Sequence, residues 1–72
     1  MKPKPKTELA LDTIVPSIHY ITFYATRDAA ELVAEFGDVQ PYDTVKDKYA
    51  ATIDARYDFD EVVTYLKGYG KK

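Results

Sequence analysis

Apolar and polar residues alternate most cleanly between residues 18 and 25. Ile21, Phe23 and Ala25 fall on one side and Tyr20, Thr22 and Tyr24 on the other, as a strand requires. The period then changes. Ala29, Leu32, Val33 and Phe36 recur at i, i+3, i+4 and i+7, the apolar stripe of an amphipathic helix. Asp28 and Glu31 have capping-box spacing, with Asp standing in for Ser or Thr. Gly37 is placed for a left-handed C-cap. The order then recurs. Over residues 48–57, Tyr49, Ala51, Ile53 and Ala55 share one side, and Ala50, Thr52, Asp54 and Arg56 the other. Asp58 and Glu61 make a second box, Phe59, Val62, Val63 and Leu66 a second stripe, and Gly68 a second stop.

The two segments align without a gap at an offset of 30 residues. Thr22/Thr52, Ala25/Ala55, Asp28/Asp58, Glu31/Glu61 and Val33/Val63 are identical. Weaker patterns flank them. Residues 8–15 carry Leu9, Leu11, Ile14 and Val15 and favour a strand that Pro16-Ser17 ends. Residues 39–45 predict a short strand, which Pro41 restricts to an edge or a bulge. A strand–helix–strand unit implies a right-handed crossover, so strands 18–25 and 48–57 are expected to run parallel. Residues 8–14 would fold back antiparallel on the first strand and 39–45 would flank the other side. The expected fold is α+β: a two-layer ferredoxin-like sandwich of two strand–helix repeats, both helices on one face of a three- or four-stranded sheet. The second face carries Tyr20, Thr22, Tyr24, Thr52, Asp54 and Arg56 and has no helix left to cover it.

Length and charge refine this picture. The 72 residues make one domain, expected over 7–70, with a flexible basic arm over 1–6 and a tail at 71–72. Such a small domain buries only about 60% of its unfolded surface, so a partner or dimerisation would stabilise it. The tails hold Lys2, Lys4, Lys6, Lys71 and Lys72. Between residues 7 and 70 twelve acids stand against five bases (Arg27, Lys46, Lys48, Arg56, Lys67), a balance of −7. That body repels phosphate. The chain has no cysteine, which excludes disulfides and fits a reducing, cytoplasmic location. No apolar run approaches the roughly 20 residues of a membrane span, and none follows the basic 1–6 stretch as a secretory signal needs.

From Ile18 to Gly68 the chain resembles an RNA-recognition motif that lacks its last strand. Leu32-Val33-Ala34-Glu35-Phe36-Gly37-Asp38-Val39 is similar to that family's step from first helix to second strand. His19–Tyr24 and residues 48–55 lie at its first- and third-strand signatures. The resemblance implies a ferredoxin-like fold that binds single-stranded RNA by stacking bases on sheet aromatics. Tyr20 matches the first-strand aromatic and Lys48 the basic residue opening the third-strand signature. Ala50 and Thr52 stand where that signature has its aromatics, and Tyr49 replaces its glycine. The missing fourth strand has a substitute in residues 8–14, beside the first strand.

Candidate chemistry is sparse. His19, the only histidine, falls on the core side near a strand end. Ser17 lies two residues before it and is not oriented for nucleophilic catalysis. Asp38, Asp43 and Asp47 lack the spacing of a calcium loop. Asp58, Asp60 and Glu61 are explained by the positive end of a helix. There is no glycine-rich phosphate loop. The expectation is a non-enzymatic module with no metal or cofactor and no membrane contact. Seven tyrosines are its least ordinary feature, and tyrosine is enriched at interfaces. The expected binding residues are Tyr20, Thr22, Tyr24, Thr52 and Arg56. They would contact a protein partner or a second copy in a homodimer. The competing readings are single-stranded RNA or DNA binding and a small acidic inhibitor of a nucleic-acid-binding protein.

Overall fold

The computed structural model describes residues 9–69. The expected arm at 1–6 and the tail at 71–72 lie outside the described residues. Along the chain come β1 (Leu9–Val15), a 3-10 turn (Pro16–Ile18), β2 (Tyr20–Ala25), α1 (Arg27–Val33), β3 (Gly37–Asp43), β4 (Lys48–Ile53) and α2 (Phe59–Tyr69). The strands form one antiparallel sheet in the order β1-β2-β4-β3. This α+β arrangement is compatible with a ferredoxin-like fold.

The β2 and β4 strands run antiparallel, contrary to the parallel pairing expected for the two similar segments. The cause is the β3 strand. A tight turn over residues 44–47 folds β4 back on β3, so β4 points against both neighbours. Asp43 builds that turn, its Oδ1 accepting from the Val45 and Lys46 amides at 3.1 and 3.4 Å. Pro41 sits on an edge strand at a register shift, where its missing N–H is tolerated. β2 starts two residues later than the alternation suggests. Pro16 sets a 3-10 turn and His19 adopts a left-handed φ of 56°, turning the chain by a corner into β2.

β4 ends at Ile53, four residues short of its expected limit. Asp54 stops it: its carboxylate accepts from the Arg56 amide at 3.3 Å and its carbonyl from the Tyr57 amide at 3.1 Å. Ala55 and Arg56 therefore lie in a turn and not on a strand face. The first capping box is also displaced. Thr26 is the N-cap of α1, its hydroxyl accepting from the Ala29 amide at 3.3 Å, while Asp28 lies inside the first turn. The second box is half realised, with the Asp58 carboxylate accepting from the Glu61 amide at 3.2 Å.

Neither glycine ends a helix in the left-handed region. Gly37 opens β3 against β4, where a Cβ would collide with the Thr52 carbonyl oxygen and come within 2.8 Å of Ile53 Cα. Gly68 lies within α2. The core joins Leu9, Ile21, Phe23, Ala25, Ala51 and Ile53 from strands with Ala29, Ala30, Val33, Phe59, Val62, Val63 and Leu66 from helices. Full burial of each large apolar side chain among these contributes about 1.5–3 kcal/mol.

Candidate functional site

Lys48 opens β4 directly opposite Tyr24 of β2. Its side chain runs on the side of the sheet away from Ile21 and Phe23. Both edge strands bulge toward it. The β1 register shifts between Leu11 and Thr13, leaving Asp12 as the extra residue, and the β3 register shifts between Pro41 and Asp43, leaving Tyr42 as the extra residue. Bulges re-aim side chains, and here both aim at one ammonium group. Asp12 Oδ2 lies 2.8 Å from Lys48 Nζ. The Tyr42 and Tyr24 ring centroids lie 5.0 and 5.2 Å from the same nitrogen. A lysine between two ring faces and a carboxylate is held by cation–π attraction and a charge-assisted hydrogen bond.

The Asp12 carboxylate also accepts from the Thr22 and Thr13 hydroxyls, each at 3.4 Å. The hydrogen bond from Lys48 is the main cause holding the Asp12 carboxyl below its ordinary value of 3.8, with burial opposing it. The reciprocal bond to Asp12 raises Lys48 above its ordinary 10.5. Beside this cluster Tyr20, Asp38, Gln40, Tyr42, Ala50 and Thr52 line a depression of about 290 Å³. The short Ala50 side chain leaves the space between Tyr20 and Tyr42.

The expected binding residues divide. Tyr20, Tyr24 and Thr52 lie on this side of the sheet, with Tyr24 and Thr52 exposed and Tyr20 half-buried. Thr22 is a correction: it is 5% exposed, its hydroxyl engaged with Asp12 and accepting from the Thr13 amide at 3.2 Å. The β1 strand covers it. Arg56 is a second correction. It leaves the sheet with the turn after β4, pairs with Asp54 at 3.5 Å and lies 5.2 Å over the Tyr57 ring. Sequence reasoning missed Asp12 and Tyr42, because a bulge breaks the alternation that would have placed them. Lys48 was within reach, since it shares parity with Ala50 and Thr52.

His19 is half-buried and stacks on Phe59 at 4.8 Å, with ring planes 8° apart. Asp38, Asp43 and Asp47 are spread over β3 and its hairpin. No group of three or more metal-ligating side chains is assembled among the described residues. No helix of the described residues is long and apolar enough to cross a membrane. No protein-family model, curated protein or solved structure matches this chain.

Proposed function

We propose that the chain is a non-catalytic binding module that contacts a protein partner, or a second copy of itself, through the sheet face carrying Tyr20, Tyr24, Tyr42 and Lys48. Both helices would cover the opposite face of a ferredoxin-like sandwich. The shared buried cluster of β2, β4 and both helices supports that sidedness. One observation carries the reading: two separate edge-strand bulges converge on Lys48 and hold it between Tyr24 and Tyr42. Pre-ordered tyrosines around a shallow depression are what interface anchors use, because little side-chain freedom is lost on contact.

Charge favours protein over nucleic acid. Asp12 offsets Lys48, and Asp38 adds a negative charge at the depression, so among the described residues the Lys48 cluster and this depression hold no surplus cation to neutralise phosphates. Single-stranded RNA or DNA binding keeps one point in its favour. Tyr42 supplies a ring beside Ala50, where the RNA-recognition resemblance lacks one.

Ala50→Arg fills the depression and tests the face. Equilibrium sedimentation of the wild type should show association that Ala50→Arg abolishes, or capture of a partner from host lysate should be lost in that variant. A wild type that stays monomeric at high concentration, with capture unchanged by Ala50→Arg and by Tyr42→Ala, refutes the reading. Fluorescence anisotropy with a random single-stranded oligonucleotide at low salt separates the competitor. Salt-sensitive binding lost in Tyr20→Ala and Tyr42→Ala would replace the protein-partner reading.

A further inference from the structure

A second set of aromatic side chains lies apart from Lys48. Phe36 is half-buried in the turn after α1, Tyr57 precedes α2, and Tyr65 projects from α2 with 51% exposure. The Phe36 and Tyr57 centroids are 5.2 Å apart with planes at 77°. Phe36 and Tyr65 are 6.0 Å apart at 62°. The Tyr57 hydroxyl donates to the Glu35 carbonyl at 3.2 Å, which fixes its ring. With Asp58, Glu61 and Val62 these rings line a depression of about 260 Å³.

Each possible occupant meets a different fate there. Rings steeply inclined to one another can wall a depression with more than one electron-rich face, and such faces attract a cation. A wholly apolar occupant would strip water from the Asp58 and Glu61 carboxylates and give nothing back. Glu61 takes part in neither of the two ion pairs found among the described residues. A phosphate would be repelled. The start of α2 contributes about half a positive charge, which the carboxylates of Asp58, Asp60 and Glu61 outweigh. A hydrocarbon stem ending in a cation satisfies rings and carboxylates together. Arg56 already uses the Tyr57 ring in this manner, 5.2 Å away, although it does not line the depression.

We propose that the Phe36–Tyr57–Tyr65 depression, with the Asp58 and Glu61 carboxylates, binds a lysine or arginine side chain of a basic partner protein. The balance of −7 over residues 7–70 attracts a positively charged partner and steers its approach. The site shares no lining residue with the Lys48 cluster and does not depend on the reading of the sheet face.

NMR titration of the full chain with a glycine–lysine dodecapeptide tests this, with the Nε-acetylated peptide as the uncharged control. The lysine peptide should give saturable shifts at Phe36, Tyr57, Tyr65 and Glu61, and the acetylated peptide none. Tyr65 is exposed, so its variants keep the fold. Tyr65→Phe should bind like the wild type, and Tyr65→Leu should weaken binding by about two- to fivefold, the loss expected for one exposed aromatic face. Shifts spread evenly over the acidic surface, no shifts, or equal binding by Tyr65→Leu would overturn the proposal.

Discussion

Gly37→Ala and Gly68→Ala have opposite expected signs. Gly68 lies in α2 one residue before its end, and a Cβ built there meets nothing within 4 Å. Alanine in a helix interior gains up to about 1 kcal/mol over glycine. The last turn frays, so roughly half of that, about 0.5 kcal/mol, is expected for Gly68→Ala. In a domain of this size the gain corresponds to about 2–4 °C in Tm. Gly37→Ala acts through space and not through φ, which is not positive there. Its Cβ would overlap the Thr52 carbonyl oxygen and lie 2.8 Å from Ile53 Cα, both backbone atoms that no rotamer can move. Ordinary carbon contacts lie at about 3.5–4.0 Å, so the start of β3 must retreat by about 1 Å. Overpacking costs about 1–3 kcal/mol, and a weakened ladder bond about 1 more. A loss of about 3 kcal/mol, or about 12–24 °C in Tm, is expected. Thermal melts followed by far-UV circular dichroism read both variants. A left-handed C-cap at Gly68 would make alanine destabilising by about 1–2 kcal/mol instead. That result, or a neutral Gly37→Ala, would refute the close approach of β3 to β4 and the helical course of Gly68.

Leu66 is fully buried, so Leu66→Ala should cost about 2–5 kcal/mol in urea unfolding; a loss under about 1 kcal/mol would contradict its place in the core. Thr26→Ala should cost about 1 kcal/mol and Asp28→Ala less, since Thr26 holds the cap; equal or reversed losses would restore the capping box at Asp28. The Asp12 carboxyl titrates below its ordinary 3.8 when folded, so its contribution is present above that value and fades as pH falls through the lower folded one. Lys48 is raised, so its contribution is present below 10.5 and fades as pH rises through the folded value. Urea midpoints of the wild type and Asp12→Asn should therefore converge as pH drops below about 4, and a constant gap down to pH 2 would exclude the linkage.

The alternating stretches made β2 and β4 legible, and the i, i+3, i+4, i+7 stripes marked where both helices lie, although α1 ends at Val33 and leaves Phe36, the last member of the first stripe, in the following turn. All four residues of the second stripe are buried. The Pro41 restriction marked β3 as an edge strand correctly. Chain direction was not legible, because it depends on a hairpin built by the Asp43 side chain between two segments read as separate. Ends failed where local hydrogen bonds compete with periodicity: Asp54 cut β4 short, and Thr26 displaced Asp28 as a cap. Within the candidate site, parity placed Tyr20, Tyr24 and Thr52 on the proposed contact side. It gave no warning that β1 would bury Thr22. Asp12 and Tyr42 stayed hidden because each breaks the alternation that parity assumes.

The strand order β1-β2-β4-β3 has a kinetic consequence. Both outer pairings, β1 with β2 and β3 with β4, join neighbours in the chain, and each closes through a short connection. Only the inner pairing, Tyr20–Tyr24 against Lys48–Thr52, joins distant segments and carries the loop-closure entropy of the fold. Folding should thus be two fast local hairpins waiting on one slow seam. A conservative truncation at Ile21, which faces Ala51 across that seam, should slow refolding, whereas Ile14→Val at the β1 edge should mainly speed unfolding. Stopped-flow chevrons showing the reverse partition would move the bottleneck to a hairpin.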